Sequence, residues 1–262
     1  MRLEPARAIA ELFAAVWANP DDDATKLVLA DALIAIGDPR GELIQLQFAS
    51  RQDESGAMRL LQRHGLTWLG ALRGKVVPLA YEKGFLASCI VIEPDPAPRE
   101  WTTVHTVQLQ EVSHLAMLDA LPRVRAVIEL EPEILAALLG RPAAGRLVSL
   151  GATDAHALFS HHAALDALPA LGEVTAPLHR LRRGADGRLS ALDARWSEAL
   201  LDLFDVLPPD SLVDVRIVAI PHAEVTHVQY NLMHFTRCTG ADLVEMSADE
   251  NRWYEARLHG NG

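Results

Sequence analysis

The chain has 262 residues, is 50% apolar and 23% charged, and so has the make-up of a folded protein that buries about three quarters of its unfolded surface. Thirty-five acids against 24 bases give a formal charge of -11, with 11 bases and 14 acids in residues 1–100 and 13 and 21 in the rest, which argues against nucleic acid as the main partner. Cys89 and Cys238 are too few for a disulfide framework, and the longest apolar run near the N-terminus, residues 12–18, is too short for a secretory core or a membrane span, so a reducing cytoplasmic setting without membrane contact is expected.

In chain order, residues 5–18 place Ala8, Ile9, Leu12, Phe13, Val16 and Trp17 at three-and-four spacing, the apolar stripe of a helix that packs on neighbours. Asn19-Pro20 ends it. Asp21, Asp22 and Asp23 then precede a second helix, where carboxylates accept from open N–H groups and meet the positive dipole end. They follow no calcium-loop spacing and are read as caps, not as a cation site. The second helix runs to Ile36 and stops at Gly37. Asp38-Pro39 is a turn, Arg40-Gly41-Glu42 starts a third helix through Phe48, and a fourth is expected between Gly56 and His64 with Gly65 as its stop.

Residues 11–50 resemble the bacterial repeat-companion domain, a helical module found at the N-terminus of proteins with leucine-rich-repeat-like segments. The resemblance is carried by Asn19-Pro20-Asp21-Asp22, Leu27-Val28, Ala30-Asp31, Gly37-Asp38-Pro39-Arg40-Gly41-Glu42 and Leu46-Gln47, with His64 and Trp68-Leu69 in the family's later helix. It covers about a quarter of the chain and implies an architecture and, by association, an interaction role; it brings no catalytic residue with it. The sequence departs from the pattern after Asp31, where Ala32, Ile34, Ala35 and Ile36 replace an aromatic and acids. The second helix is therefore apolar nearly all round, either more deeply buried than usual or offering a sticky face to another chain, burial being the plainer reading.

The middle of the chain repeats. His-Leu-Ala-Met-Leu-Asp-Ala-Leu-Pro at 114–122 and His-His-Ala-Ala-Leu-Asp-Ala-Leu-Pro at 161–169 agree at seven of nine positions, and residues 205–208 echo the last four with Asp205, Leu207 and Pro208. A β-prone run follows each proline, at 124–131, 171–175 and 212–220; others lie at 89–93, 104–110 and 147–151. Taking Ile92, Leu109, Leu130, Leu150 and Val174 as equivalent gives steps of 17, 21, 20 and 24 residues, a leucine-rich-repeat period. One strand and one helix have too little partner surface to hide their own apolar face, so such units stack. The fold class expected is α/β: a short, irregular leucine-rich-repeat-like solenoid, without the usual bridging Asn, in residues 76–220. A helical N-terminal cap occupies 1–75 and a β-rich C-terminal cap 221–262.

Alternation points Ile90, Ile92, Val107, Leu109, Ile128, Leu130, Val148 and Leu150 inward. The outward set is Glu93, Gln108, Gln110, Glu129, Glu131, Ser149, Glu173 and Thr175, which side by side would make an acidic, polar concave face. That face is either a solvated surface or the place where a partner binds. The function expected is non-enzymatic protein recognition, with Gln108, Gln110, Glu129 and Glu131 as central contacts and Ile34, Ile36 or the caps as secondary surfaces. Its more particular form is an immunity-type neutraliser of a basic effector.

Residues 178–192, with Arg180, Arg182, Arg183 and Arg188 among Gly184 and Gly187, read as a loop whose arginines are solvated. From 221 onward the β-prone run with Val225, Val228, Tyr230 and Leu232, and then 241–247 and 252–258 flanking residues 248–251, read as a hairpin, with Trp253 and Tyr254 supplying apolar area or anchoring a partner. The competing reading is a zinc-dependent hydrolase using His222, His227, His234 and Cys238 near Glu224 and Asp242. Its spacing is poor, since residues five apart take opposite faces of a strand, and there is no H-E-x-x-H, G-x-S-x-G or phosphate-loop motif. No metal, cofactor or catalytic residue is expected.

Overall fold

Two of the N-terminal helices start where an aspartate meets open backbone N–H groups. Asp22 accepts from Ala24 N at 3.0 Å and Thr25 N at 3.2 Å at the head of α2 (Asp23–Ala35). Asp38 accepts from Arg40 N at 2.9 Å at the head of α3 (Pro39–Phe48), whose proline sits in the first turn, where a missing N–H costs nothing. α1 (Leu3–Ala18) precedes them and α4 (Glu54–Trp68) follows. Gly37, at φ 77, closes α2 as the sequence suggests. Gly65 does not close α4: it is buried within the helix, and the Tyr81 hydroxyl donates to its carbonyl at 2.7 Å. The computed structural model describes residues 3–49 and 54–247, and the chain is a mixed α/β protein. It divides into two units, Met1–Arg125 and Ala126–Gly262, so the division falls inside the segment 76–220 that the repeats suggested as one.

In the first unit Val16, Leu29, Ala30, Leu33, Ile44 and Phe85 form a core, with Ile9, Leu12, Phe13 and Phe48 packed against it. β1 (Val76–Glu82) and β2 (Phe85–Val91) are an antiparallel hairpin whose turn, Lys83-Gly84, has φ 49 and 82, the left-handed pair that suits a twisted two-residue hairpin. β1 is missing from the expected strands because Pro78 breaks its apolar run; a register shift beside Pro78 accommodates it. Arg40 ties α3 to the turn. Its Nε donates to Gly84 O at 2.9 Å, and its guanidinium lies 5.0 Å from the Phe13 ring centroid and 4.5 Å from that of Phe85. Burial pushes this group down to about 10, which leaves it charged at neutral pH. Gln47 adds a second clasp, donating to Tyr81 O at 2.8 Å and accepting from Gly84 N at 2.7 Å. The Gly-Asp-Pro-Arg-Gly-Glu motif is thus architectural: it caps, turns and docks α3.

β3 (Thr106–Leu109) runs parallel to β2 and is followed by α5 (Leu115–Asp119). Leu109 pairs with Val91, not with Ile92; Cys89 and Val91 are fully buried, Ile90 is half-buried and Ile92 is exposed. The expected inward set of this strand is therefore one residue out. An apolar run with no polar alternation leaves its sidedness undefined. Val107 and Leu109 point inward as expected. α2 buries Leu29, Ala30 and Leu33 but leaves Leu27, Val28 and Ile34 exposed, and Ile36 just beyond it is 57% exposed, so the all-round apolar character is not all burial.

Burial also makes Cys89 inert, since it pushes the thiol up to about 12 and the thiolate is the reactive form. In the native chain at mildly alkaline pH, Cys89 is expected to stay unlabelled by a water-soluble thiol reagent and to react fully in guanidinium chloride. Peptide mapping by mass spectrometry checks this; rapid native labelling of Cys89 contradicts its place in β2.

The second unit threads strands and helices in turn: β4 (Ala126–Leu130), α6 (Pro132–Leu139), β5 (Ser149–Ala152), α7 (Ala155–Ser160), α8 (His162–Asp166) and β6 (Glu173–Ala176). There follow β7 (His179–Arg183), β8 (Leu189–Arg195), α9 (Ala199–Val206), β9 (Asp214–Ile220), α10 (Val225–Leu232) and β10 (Gly240–Glu245). The strands lie in chain order; β4–β5, β5–β6, β8–β9 and β9–β10 are parallel, and β6–β7–β8 is antiparallel. Val127, Leu130, Leu150, Val174, Leu181, Leu192, Val215 and Ile217 are buried, and so are Leu135, Leu138, Leu158, Phe159, Leu165, Leu200 and Leu203 of the helices. The second copy of the repeated segment forms α8 over the same five positions at which the first copy forms α5.

Several expectations change here. Val127, not Ile128, is the inward partner of Leu130, because Glu129 at φ 52 forms a bulge that puts both within the core. Val148 precedes β5 and is exposed. Residues 178–192 are not a loop but the β7–β8 hairpin, with His179 and Leu181 buried at two-residue spacing. Residues 225–232 are helical, since Val228 and Leu232 bury one face at four-residue spacing. β10 pairs in parallel with β9, and the expected hairpin partner 252–258, Trp253 and Tyr254 included, lies outside the described residues.

Candidate functional site

The outward residues are taken unit by unit. In the first unit Gln108 on β3 is half-buried, Gln110 just past the strand is exposed, and Glu93 beyond β2 is exposed. In the second, Glu129 and Glu131 are exposed, and Ser149, Glu173 and Thr175 are half-buried. The bulge that aligns Val127 and Leu130 also places Glu129 in a left-handed backbone conformation that a non-glycine residue adopts at a cost of about 1–3 kcal/mol. Glu131 stands at the head of α6 without capping it through its side chain. Neither carboxylate has an ion-pair or hydrogen-bond partner among the described residues.

Across the later strands the outward acids alternate with arginines. Ser149 Oγ donates to Glu173 Oε1 at 3.4 Å, and the Arg180 guanidinium closes on Glu173 Oε2, its Nε at 2.9 Å. On the next pair of strands Arg182 Nη2 lies 2.7 Å from Asp193 Oδ2, and further along Arg216 Nε lies 3.3 Å from Asp242 Oδ2. The pairing registers Glu173 with Arg182, Arg180 with Asp193, Asp193 with Arg216 and Arg216 with Asp242. Side chains of one face thus alternate in sign from β6 to β10, negative, positive, negative, positive, negative. Two shallow depressions of about 490 and 580 Å³ run along this ladder, both bordered by Arg182, Asp193 and Arg216. Sequence reasoning missed it because the strands β7 and β8 were unread. The signal was present in Asp186-Gly187 between two alternating runs, a hairpin signature.

The arginines of 178–192 are accordingly engaged, not simply solvated. Arg183 donates to Leu171 O at 2.8 Å and Leu168 O at 2.9 Å, and Arg188 bridges Asp166 at 3.0 Å and Asp210 at 3.1 Å.

The histidines of the C-terminal stretch do not converge. His222 lies in a 3-10 turn with Nδ1 3.0 Å from Glu245 Oε2, His227 on α10 is 3.5 Å from Glu224, and the His234 ring stands edge-on to Tyr230. They sit on a turn and a helix, so the strand-face argument used for His222 and His227 does not apply. Among the described residues no group of three or more His, Cys, Asp or Glu is placed to hold a metal ion, and no helix is long and apolar enough to cross a membrane.

No family model matches the chain, and neither a curated protein nor a solved structure is significantly similar to it.

Proposed function

We propose that the chain is a non-enzymatic protein-recognition module that reads its partner with outward strand side chains. The observation that carries this reading is the division of labour in the second unit: apolar residues of β4–β9 are buried, while outward residues of β6–β10 hold a ladder of charge that alternates in sign from strand to strand. Exposed ion pairs of this kind stabilise by only about 0–1 kcal/mol each, so their regular placement is weakly explained by stability and well explained by complementarity to a surface. Repeated strand-helix units in chain order support a leucine-rich-repeat-like solenoid, with the N-terminal helices as a repeat-companion-type cap and α10 with β10 as the closing piece.

Within this reading Glu129 and Glu131 are the attracting groups, since their charge is not already neutralised, with Ser149, Glu173 and Thr175 beside them on the same unit. Gln108 and Gln110 are the contacts that the first unit offers. The partner is a protein carrying a basic segment, and the net charge of -11 favours a neutraliser of a basic effector over a nucleic-acid binder. Affinity capture from native lysate with the full chain, followed by mass spectrometry, identifies the partner. The Glu129→Lys, Glu131→Lys double variant is expected to lose that capture with an unchanged circular dichroism spectrum. Unaltered capture by this variant rejects the strand-face site.

A further inference from the structure

Arg40 is a buried cation without a counterion. The residue is 8% exposed, its Nε donates to Gly84 O, and neither terminal nitrogen has a hydrogen-bond or ion-pair partner among the described residues. Phe13 and Phe85 flank the guanidinium, which offsets part of the cost of burying the charge but uses none of its N–H donors. Arg40 borders a cavity of about 230 Å³ in the first unit. With Nε committed to Gly84 O, the terminal nitrogens are the donors it can offer there.

Glu100 borders the same cavity, and its place there is built. An added Cβ on Gly70, at φ 55, would stand 2.5 Å from Glu100 Oε1, so glycine is what leaves room for the carboxylate; Oε1 also accepts from Ala71 N at 3.4 Å. Oε2 has no partner among the described residues. The charge of Glu100 is felt at Arg40, yet the two form no ion pair. A cation and an anion that border one small cavity without meeting leave space for a group that serves both. Most of the other lining is apolar, with partly exposed Phe13, Trp17 and Trp68. Trp17 stacks on Phe13 at 5.4 Å between centroids, and Arg99 covers Trp17 at 3.7 Å, so these two rings offer the cavity their edges. Ring edges suit the face of another ring.

We propose that this cavity binds a free aromatic α-amino acid. The ligand carboxylate accepts from the terminal nitrogens of Arg40, its ammonium donates to Glu100, and its ring lies against Phe13, Trp17 and Trp68. A ligand with one charge fits less well, because a bare carboxylate meets Glu100 and a bare amine meets Arg40, whereas a zwitterion gives each protein charge its opposite. The volume falls below the roughly 300–1,000 Å³ of sites for larger ligands, which suits a single amino acid. The site belongs wholly to the first unit and is independent of the strand-face reading.

Calorimetric titration of the full chain with L-phenylalanine tests it, alongside 3-phenylpropanoate, which lacks the amine, and 2-phenylethylamine, which lacks the carboxylate. Saturable one-to-one binding of L-phenylalanine is expected, with each single-charge analogue weaker by about tenfold or more. Arg40 also docks α3, so at that end the ligand is varied and not the residue. Glu100→Gln, at a partly exposed position, keeps the acceptor for Ala71 N and removes the charge; it is expected to weaken L-phenylalanine by about tenfold and to leave 3-phenylpropanoate no weaker than in the parent. Absence of saturable binding, an analogue that binds as tightly as L-phenylalanine, or a Glu100→Gln chain that binds L-phenylalanine as the parent does overturns the proposal. The Glu129→Lys, Glu131→Lys variant is expected to bind L-phenylalanine unchanged, so this site and the strand face fail or succeed separately.

Discussion

Gly41→Ala is expected to destabilise the first unit by about 3 kcal/mol, against the usual sign for replacing a helical glycine. In an open helix interior the change gains up to about 1 kcal/mol, since alanine loses less backbone freedom on folding. At this position an added Cβ would stand 2.5 Å from Ala30 O and 2.9 Å from both Ile34 N and Ile34 Cγ1. Two of those atoms are backbone of α2, so relief requires α2 and α3 to move apart. That separation loosens Leu29, Leu33 and Ile44 in the core and shifts Arg40 from its place between Phe13 and Phe85. Gly65→Ala is the matched control. It is also a buried helical glycine, but the nearest atoms to its added Cβ are at 3.8–3.9 Å, and the substitution is expected to be neutral or to stabilise by up to about 1 kcal/mol. Thermal denaturation of the two variants checks this. A higher midpoint for Gly41→Ala would mean that the two helices do not approach so closely.

The contrast shows what kind of information the sequence holds. Local chemistry was legible: Asp22 and Asp38 as caps, Gly37 as a stop, and the repeated segments as matching five-residue helices all follow from neighbours within a few positions. The six β-runs expected between residues 89 and 220 all contain strands, whereas the run expected over 225–232 is a helix. Sidedness was harder. In β2 the run Cys89-Ile90-Val91-Ile92 is apolar at every position, and in β4 the bulge at Glu129 changes which residue faces inward, so alternation alone gave the wrong partner for Leu109 and for Leu130. Least legible were the charge ladder and the long-range ion pairs. Arg182 with Asp193, Arg216 with Asp242 and Lys83 with Asp23 are partners that only strand register or tertiary packing brings together. Nothing within a local window distinguishes an arginine that is solvated from one that is engaged 20 residues away.

Asp166→Ala is expected to cost the second unit about 3 kcal/mol at neutral pH, because one carboxylate organises the base of the β7–β8 hairpin. Its side chain is only 16% exposed; Oδ1 accepts from Leu189 N at 2.7 Å, Oδ2 from Arg188 Nε at 3.0 Å, and Arg183 stands 3.6 Å away. Removing it strands a backbone N–H at the start of β8 and leaves two guanidiniums facing each other without their common counterion. The pH dependence has a definite sign. Burial pushes the Asp166 carboxyl upward, but the Leu189 N–H and the Arg188 side chain outweigh it and hold the group below its ordinary 3.8. A carboxyl lowered in the folded state contributes its full stabilisation above the unfolded value near 3.8 and loses it as the pH falls through the lower folded value. The gap between parent and variant in urea denaturation is therefore expected to be largest near pH 7 and to shrink only below about pH 4. Hydrogen exchange supplies the local readout, with the Leu189 amide protected in the parent and fast in the variant. Equal stability of the two chains at neutral pH, or a Leu189 amide that stays protected without Asp166, would show that the hairpin is held by its strand pairing alone.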